Sequence, residues 1–336
     1  MRTFYFTAFT LLALLAANSS RAQVDPHFSQ YYVYPMWLNP ALTGAIDGDY
    51  RVTGIYRNQW GNLSNPYSTP GVSADFNAGN NLALGLNVMN QQAGSGGYNY
   101  LNTYASMAYT GVRFGPAGNH RISMGLSMGI INRRFDPAKF QTGDQWNPVT
   151  GYNPAAGGST DVLAKTSGTA FDAGVGILYF DATPGKKANI FAGFSAFHLT
   201  QPTDPFISGG TDERLPIRYT AHGGVKLFVS EDLSITPNLL YMRQGVSEEK
   251  MAGAYAQLRV NETSDFLIGA NYRLKDAVSP YVGMFYKSFV LGLSYDVNTS
   301  DLGRAAGHAN SFEISLSFTG RKSGHADAIP FVCPRL

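Results

Sequence analysis

The sequence predicts an all-β protein, a transmembrane antiparallel β-barrel of a bacterial outer membrane with about 14 strands. Three observations support this fold class. Only 14% of the 336 residues are charged, whereas a soluble globular domain carries about 25%. Short segments alternate apolar with small or polar residues, as strands do when their two faces meet different environments. The long connections between these segments are odd-numbered along the chain, whereas most even-numbered connections are short.

The composition excludes several other classes of protein. The chain is 44% hydrophobic with a net charge of +2, whereas a disordered chain has low hydrophobicity and high net charge. No Lys/Arg-rich stripe offers a surface for nucleic acid. Cys333 is the only cysteine, so neither an intrachain disulfide nor a Cys-rich zinc site can form.

The N-terminal residues predict export. Residues 1–22 have the features of a signal peptide: Arg2 at the start, an apolar run from Phe4 to Ala17, and small residues at Ser20 and Ala22. The apolar run is shorter than the roughly 20 residues that a membrane-spanning helix needs. We therefore expect cleavage after Ala22 and a mature chain outside the cytoplasm.

The strands are predicted from alternation with a period of two. Between Ser311 and Phe318, for example, the apolar residues share one face and Ser or Glu residues share the other. Fourteen such segments are predicted, at 50–60, 67–77, 81–91, 98–112, 120–133, 167–180, 187–200, 214–229, 232–243, 249–260, 264–274, 277–286, 288–296 and 310–320. Most are long enough to cross a bilayer as a tilted strand.

The connections support a membrane barrel over a soluble β-sandwich, the alternative fold. Bacterial barrels combine long outer loops with short periplasmic turns, and here the odd-numbered connections include three long stretches, 134–166, 201–213 and 297–309. Most even-numbered connections are tight turns, and the short odd connection at Lys275-Asp276 is an exception. Aromatic residues near strand ends predict an interfacial girdle: Tyr98, Tyr100, Tyr104, Tyr281, Phe285, Tyr286 and Phe289.

Motifs along the whole predicted mature chain resemble those of the PorP/SprF family of outer-membrane proteins associated with type IX secretion. The N-terminal motifs are Asp25-Pro26-His27-Phe28-Ser29-Gln30-Tyr31-Tyr32, Trp37-Leu38-Asn39-Pro40-Ala41-Leu42-Thr43-Gly44 and Tyr56-Arg57-Asn58-Gln59-Trp60. Later motifs are His198-Leu199-Thr200-Gln201-Pro202, Leu215-Pro216-Ile217-Arg218-Tyr219 and the closing Cys333-Pro334-Arg335-Leu336.

The resemblance implies a non-enzymatic barrel in the bacterial outer membrane that works with the type IX machinery. Its expected partners are outer-membrane lipid, secretion machinery subunits and secreted cargo proteins such as adhesins, including those of gliding motility. We expect no nucleic acid partner, no cofactor, no metal and no catalytic residue. A channel or hydrophobic-solute transporter is the alternative function, since a barrel alone would also fit it.

The predicted organisation has three parts after the signal peptide: a periplasmic N-terminal segment at 23–48, the barrel at 49–320 and a periplasmic tail at 321–336. The N-terminal segment is expected to dock a periplasmic subunit or to close the barrel from below. Its candidate partner-binding residues are Asp25, Pro26, His27, Phe28, Gln30, Tyr31, Trp37, Asn39 and Pro40. Alternatively, its aromatic residues simply pack into the barrel mouth, and both interpretations can hold together.

Two features imitate the motifs of hydrolases. Gly125-Leu126-Ser127-Met128-Gly129 matches the G-x-S-x-G pattern, but that motif needs a strand-to-helix turn and here it lies inside an alternating strand. His222, followed by Gly223-Gly224, would support an outer-membrane acyl hydrolase only with a serine within hydrogen-bond reach. We therefore interpret both as parts of strands.

Overall fold

The computed structural model describes residues 25–61, 66–94, 97–136, 139, 145–153, 165–203, 214–300 and 311–321. The predicted signal peptide, residues 23–24 and nearly all of the predicted tail lie outside these residues. Large parts of the predicted loops 134–166, 201–213 and 297–309 also lie outside them.

A closed antiparallel barrel of fourteen strands forms the molecule. Its strands are β1 (Tyr50–Gln59), β2 (Tyr67–Gly79), β3 (Leu82–Ala93), β4 (Tyr98–Phe114), β5 (His120–Phe135), β8 (Ser167–Asp181), β9 (Ala188–Phe197), β10 (Arg218–Phe228), β11 (Leu233–Gln244), β12 (Ser247–Asn261), β13 (Ser264–Arg273), β14 (Ala277–Tyr286), β15 (Phe289–Asn298) and β16 (Ser311–Gly320). Two short strands, β6 (Trp146–Asn147) and β7 (Gly151–Tyr152), pair within the connection from β5 to β8. Strands β1 and β16 close the cylinder in a register that pairs Tyr50 with Gly320 and Gln59 with Ser311. The predicted fold class is confirmed.

The outer surface of the barrel is apolar, as the alternation predicts. On β16 the side chains of Phe312, Ile314 and Leu316 are 42–50% exposed, whereas Glu313 and Ser315 between them are buried. The same alternation continues around the cylinder, because closure leaves only one face of each strand in contact with lipid.

The expected aromatic girdle is only partly present. Tyr286 and Phe289 point outward, but Tyr100, Tyr104 and Tyr281 are buried on the inner face. On β4 the tyrosines at 98, 100 and 104 lie an even number of residues from the buried Asn102. They therefore share its face of the strand, which points into the barrel. Position near a strand end therefore does not decide which face a side chain occupies.

The two ends of the barrel differ in their connections. At the short-turn end, where β1 begins and β16 ends, all connections among the described residues are short: 80–81, 115–119, 182–187, 229–232, 262–263 and 287–288. The opposite end, which we call the long-loop end, carries the connections at 136–166, 198–217 and 299–310, together with the shorter 60–66, 94–97, 245–246 and 274–276. In bacterial barrels the long loops face the outside of the cell.

Residues 25–48, which we call the luminal segment, cross the interior of the barrel. The backbone N–H of Asp25 donates to Gln244 at the long-loop end, and the carbonyl of Gly48 accepts from Asn77 at the short-turn end. Most residues between them are buried. The segment expected on the periplasmic side is thus enclosed by the strands, because the lumen offers its aromatic rings apolar contacts and its polar groups hydrogen-bond partners.

Two short turns shape the middle of the luminal segment. Helix α1 (Pro35–Leu38) begins with proline at a position that needs no N–H partner. A 3₁₀ turn at Pro40–Leu42 follows, and the Asn39 side chain caps it by accepting from the N–H of Ala41. No helix in the described part of the chain is long and apolar enough to span a bilayer.

Candidate functional site

Two groups of charged residues fasten the luminal segment to the barrel wall. The first, the Arg57 cluster, consists of Arg57, Arg273, Asp296, Glu313 and Ser29. Asp296 Oδ2 lies 2.8 Å from both the Arg57 and the Arg273 guanidinium, and Arg57 also donates to Glu313. The Ser29 hydroxyl donates to Asp296 Oδ1 at 2.7 Å, and its backbone N–H donates to Glu313 Oε1 at 2.6 Å.

The Arg57 cluster is almost completely buried, and Arg273 also donates to the exposed carboxylate of Asp276 beside it. Its two guanidinium groups face two carboxylates, and the side chains of Arg57 and Glu313 are 2% and 1% exposed. Charges in such a place are tolerated only when each is paired and hydrogen-bonded. The luminal segment supplies part of that pairing, because Glu313 also accepts from the backbone N–H of Gln30 at 2.9 Å.

The second group, the Asp25 cluster, consists of Asp25, Asp172, His198, Arg218 and Trp37. His198 lies between two carboxylates, with Nε2 2.6 Å from Asp25 Oδ2 and Nδ1 2.7 Å from Asp172 Oδ2. Arg218 donates to Asp25 Oδ2 and to the carbonyl of Trp37, both at 2.8 Å. The same guanidinium stacks on the Trp37 ring, 3.9 Å from its centroid. One arginine thus holds the segment at two points.

The carboxylates determine the protonation of His198. Burial alone would lower its pKa, but Asp25 and Asp172 outweigh burial and raise the pKa to about 9. In turn, burial opposes ionisation of Asp25, while His198 and Arg218 hold the pKa of that carboxyl well below its usual range. The imidazolium and the two carboxylates therefore form a charged bridge between the luminal segment and the wall at neutral pH.

Glycines on the inner wall allow the turn at Asn39 to approach the strands. A Cβ at Gly176 would lie 2.0 Å from Asn39 Oδ1, and one at Gly125 would lie 2.3 Å from the backbone nitrogen of Ala41. In this close fit Asn39 donates to the carbonyl of Ile177 at 3.0 Å. The Gly residues of the false hydrolase motif, including Gly125, therefore serve packing.

Further polar contacts continue along the segment. Ser195 donates to the carbonyl of Leu38 at 2.7 Å, and Ser123 donates to the carbonyl of Ala41 at 2.8 Å. At the short-turn end the N–H of Gly44 donates to Asp75 Oδ2 at 2.8 Å. Arg51 holds the same carboxylate through two nitrogens at 2.8 and 2.9 Å.

All nine predicted partner-binding residues lie in the luminal segment and face the interior of the barrel. Eight are buried and His27 is half-buried: Asp25, Pro26, His27, Phe28, Gln30, Tyr31, Trp37, Asn39 and Pro40. Contact between a partner protein and these residues stays a prediction. Their aromatic members pack in two clusters with wall residues such as Leu178 and Tyr104.

The wall residues that hold the segment were not among the predicted site residues. Arg57, His198 and Arg218 occur in three motifs that carry the family resemblance, so the sequence does mark them. Asp296 and Glu313 lie on the small, polar faces of β15 and β16. A single charged residue on the inward, polar face of a strand is the sequence signal that would have identified Asp296 and Glu313 as site residues.

His222 has a structural partner inside the barrel. Its Nε2 lies 3.1 Å from Asn39 Nδ2, and its ring contacts Tyr32 edge-on at 5.7 Å. The side chain is buried on the inner face, away from the lipid. This position agrees with the interpretation of His222 as part of a strand.

The apolar outer wall, the closed sheet and the polar, filled lumen define an integral β-barrel protein of the bacterial outer membrane. A family model of the type IX secretion system membrane proteins PorP/SprF matches residues 20–318. The chain belongs to this family, which is one of secretion-associated membrane barrels and not a class of enzymes. No curated protein matches the sequence.

Solved structures with similar folds are outer-membrane barrels. The toluene transporter TbuX of Ralstonia pickettii aligns with a TM-score of 0.53 and 14% identity, over 89% of this chain and 95% of that chain. The toluene transporter TodX of Pseudomonas putida aligns with a TM-score of 0.47 and 9% identity, over 84% and 92%. A FadL homologue of Pseudomonas aeruginosa gives 0.42 and 10%, over 83% and 91%. At 14% identity the likeness to TbuX shows the fold alone.

Proposed function

We propose that this protein is a closed, non-enzymatic barrel that supports the export or cell-surface attachment of secreted proteins such as adhesins. The observation that carries the proposal is the filled lumen. Residues 25–48 occupy the interior from one end to the other, and two buried charge clusters hold them there. A rigid outer-membrane platform needs no open pore to act on other proteins.

In this proposal the barrel works by positioning its two ends. The long-loop end faces outward and meets exported protein, with 134–166, 201–213 and 297–309 as the contacting loops. The short-turn end faces the periplasm, where the exit of the luminal segment at residues 45–48 lies beside the turns and meets the secretion machinery. In this proposal the protein would contribute to gliding motility only by exporting or attaching the adhesins that gliding uses.

Deletion of the gene tests the proposal. We expect a subset of secreted proteins to remain inside the cells or to be shed into the medium, while other outer-membrane proteins keep their abundance. Mass spectrometry of cell-surface, intracellular and medium fractions measures this, and a plasmid copy of the gene should restore the wild-type distribution. An unchanged surface proteome would contradict the proposal.

The alternative function, a channel for hydrophobic solutes, has less support. The similarity to a toluene transporter is one of barrel fold, and at 14% identity it does not indicate the same function. A solute crossing the lumen would have to pass the buried aromatic rings and the charge clusters of the luminal segment. Impaired growth of the deletion strain on hydrophobic carbon sources, with normal secretion, would favour this alternative.

A further inference from the structure

The mouth of the barrel at the long-loop end contains a cavity of about 530 Å³. Most of its wall is built by the first five strands, each of which contributes an inward-facing residue near its outer end, and Leu215 completes the lining. Its floor is the start of the luminal segment, Asp25, Pro26 and His27. The luminal segment lies directly below the cavity, which therefore has the concave form of a binding site.

Aromatic rings form one side of the cavity. Trp60 and Tyr67 meet edge to face, with ring centroids 5.3 Å apart. Trp60 has a φ of +61°, in the left-handed region that a bulky residue rarely adopts. Trp60 is the first residue after the end of β1. Both residues are half-buried and line the cavity.

Polar groups form the other side. Gln59 and Gln91 point into the cavity from β1 and β3, and in the described part of the chain neither amide has a hydrogen-bond partner. Arg133 is buried against Tyr98, donating from Nε to the hydroxyl at 3.1 Å. Its guanidinium also lies 5.8 Å from the centre of that ring. Each amide offers a donor and an acceptor side by side.

The combination identifies the ligand chemistry. Aromatic rings bind the apolar faces of a ligand, whereas the two amides bind neighbouring hydroxyl groups. A hydrocarbon would leave the amides of Gln59 and Gln91 desolvated without partners, which disfavours its binding. A saccharide ring has both an apolar face and a rim of hydroxyls. We propose that this cavity binds one or two saccharide units of a cell-surface glycan or of a glycan attached to an exported protein.

The test is a titration of the purified full-length protein with saccharides. It requires an amine-oxide detergent, because the head groups of maltoside detergents are themselves saccharides. The probes are neutral hexoses, deoxyhexoses, N-acetylhexosamines and uronic acids, each as mono- and disaccharides, followed by calorimetry. We expect saturable binding of at least one class, and replacement of Trp60 or Tyr67 by alanine should weaken it roughly tenfold.

The chain provides a matched control. Trp146 and Tyr152 form a second aromatic pair in the β6–β7 hairpin, with centroids 5.8 Å apart and outside the cavity. Trp146→Ala should bind saccharides as the wild type does, while Trp60→Phe should retain most of the affinity. Circular dichroism and resistance to unfolding in SDS at room temperature establish that each variant is folded.

Two further arms distinguish the sources of the saccharide. Micelles of lipopolysaccharide from the same cells test a membrane glycan, and secreted protein before and after periodate oxidation tests a protein-attached one. Absence of binding across the panel would overturn the proposal. So would equal affinity of the wild type and the Trp60 and Tyr67 variants, or binding of toluene in place of saccharides. These results are independent of whether cargo is lost in the deletion strain.

Discussion

Arg57 joins three strands of the wall and the luminal segment at one point. Its guanidinium contacts Asp296, Glu313 and the Ser29 hydroxyl while being almost completely buried. Removing this cation would leave two carboxylates in the lumen with only Arg273 to balance them. We predict that Arg57→Met lowers the free energy of unfolding by about 3–5 kcal/mol, as for other broken buried ion pairs.

The measurement for Arg57→Met is denaturant unfolding in detergent micelles, followed by tryptophan fluorescence. Lys250→Met is the matched control, because Lys250 pairs with Glu248 where both side chains are well exposed, at 54% and 37%. Exposed pairs contribute about 0–1 kcal/mol. Equal effects of the two substitutions would show that the Arg57 cluster does not hold the segment.

His198 makes the stability of the segment depend on pH. Its pKa is raised to about 9 in the folded protein, above its ordinary value of about 6.5. The folded state therefore binds this proton more tightly than the unfolded state. The resulting stabilisation is complete below pH 6.5 and is lost as the pH rises through about 9.

We predict that wild type exceeds His198→Gln in unfolding free energy at pH 6 and that this difference shrinks steadily up to pH 10. Unfolding midpoints of both proteins at intervals across this range measure it. A difference that stays constant with pH would mean that the imidazolium charge does not contribute to holding Asp25.

At the scale of the elements, the close fit between the turn at residues 39–41 and strand β8 depends on Gly176. A side chain there would overlap Asn39 and push the luminal segment away from the wall. We predict that Gly176→Val destabilises the protein by about 1–3 kcal/mol, as overpacking does. It should also make the segment more accessible to protease added to micelles.

Gly54 is the control for Gly176, because a Cβ at Gly54 would have no neighbour within 4 Å. Gly54→Ala should leave both the unfolding free energy and the protease pattern nearly unchanged. Cleavage of the segment at equal rates in the two variants would contradict the role of Gly176 in seating the turn.

The strands could be predicted from the sequence because alternation is a local signal. All fourteen predicted segments correspond to barrel strands, and the errors are at their ends. The strand predicted at 187–200 ends at Phe197, because the next residue, His198, adopts a left-handed φ of +61°. The one predicted from 214 begins at Arg218, after Pro216, which has no N–H for a ladder.

The enclosure of the luminal segment could not be predicted in the same way. Its contacts join residues far apart in the chain, such as Gln30 and Glu313, which only closure of the barrel brings together. Its aromatic composition favours burial against any apolar surface. The sequence therefore supported packing into the barrel mouth as an alternative, but could not show that the segment spans the whole lumen.

For the molecule as a whole, the barrel and the luminal segment form one structure. Lipid covers an apolar exterior, while the polar interior is neutralised by contacts that the segment completes. A 14-stranded barrel without its contents would enclose a wide, polar lumen. We therefore infer that the luminal segment is what blocks the lumen of the barrel.

Conductance across planar bilayers tests this central claim most directly. We predict that the wild-type protein inserts without steady ionic conductance, whereas a variant lacking residues 25–46 forms open pores of constant size. The deletion variant, checked by circular dichroism for an intact barrel, serves as the positive control in the same bilayers. Steady conductance of the wild type at the level of the deletion variant would contradict the account.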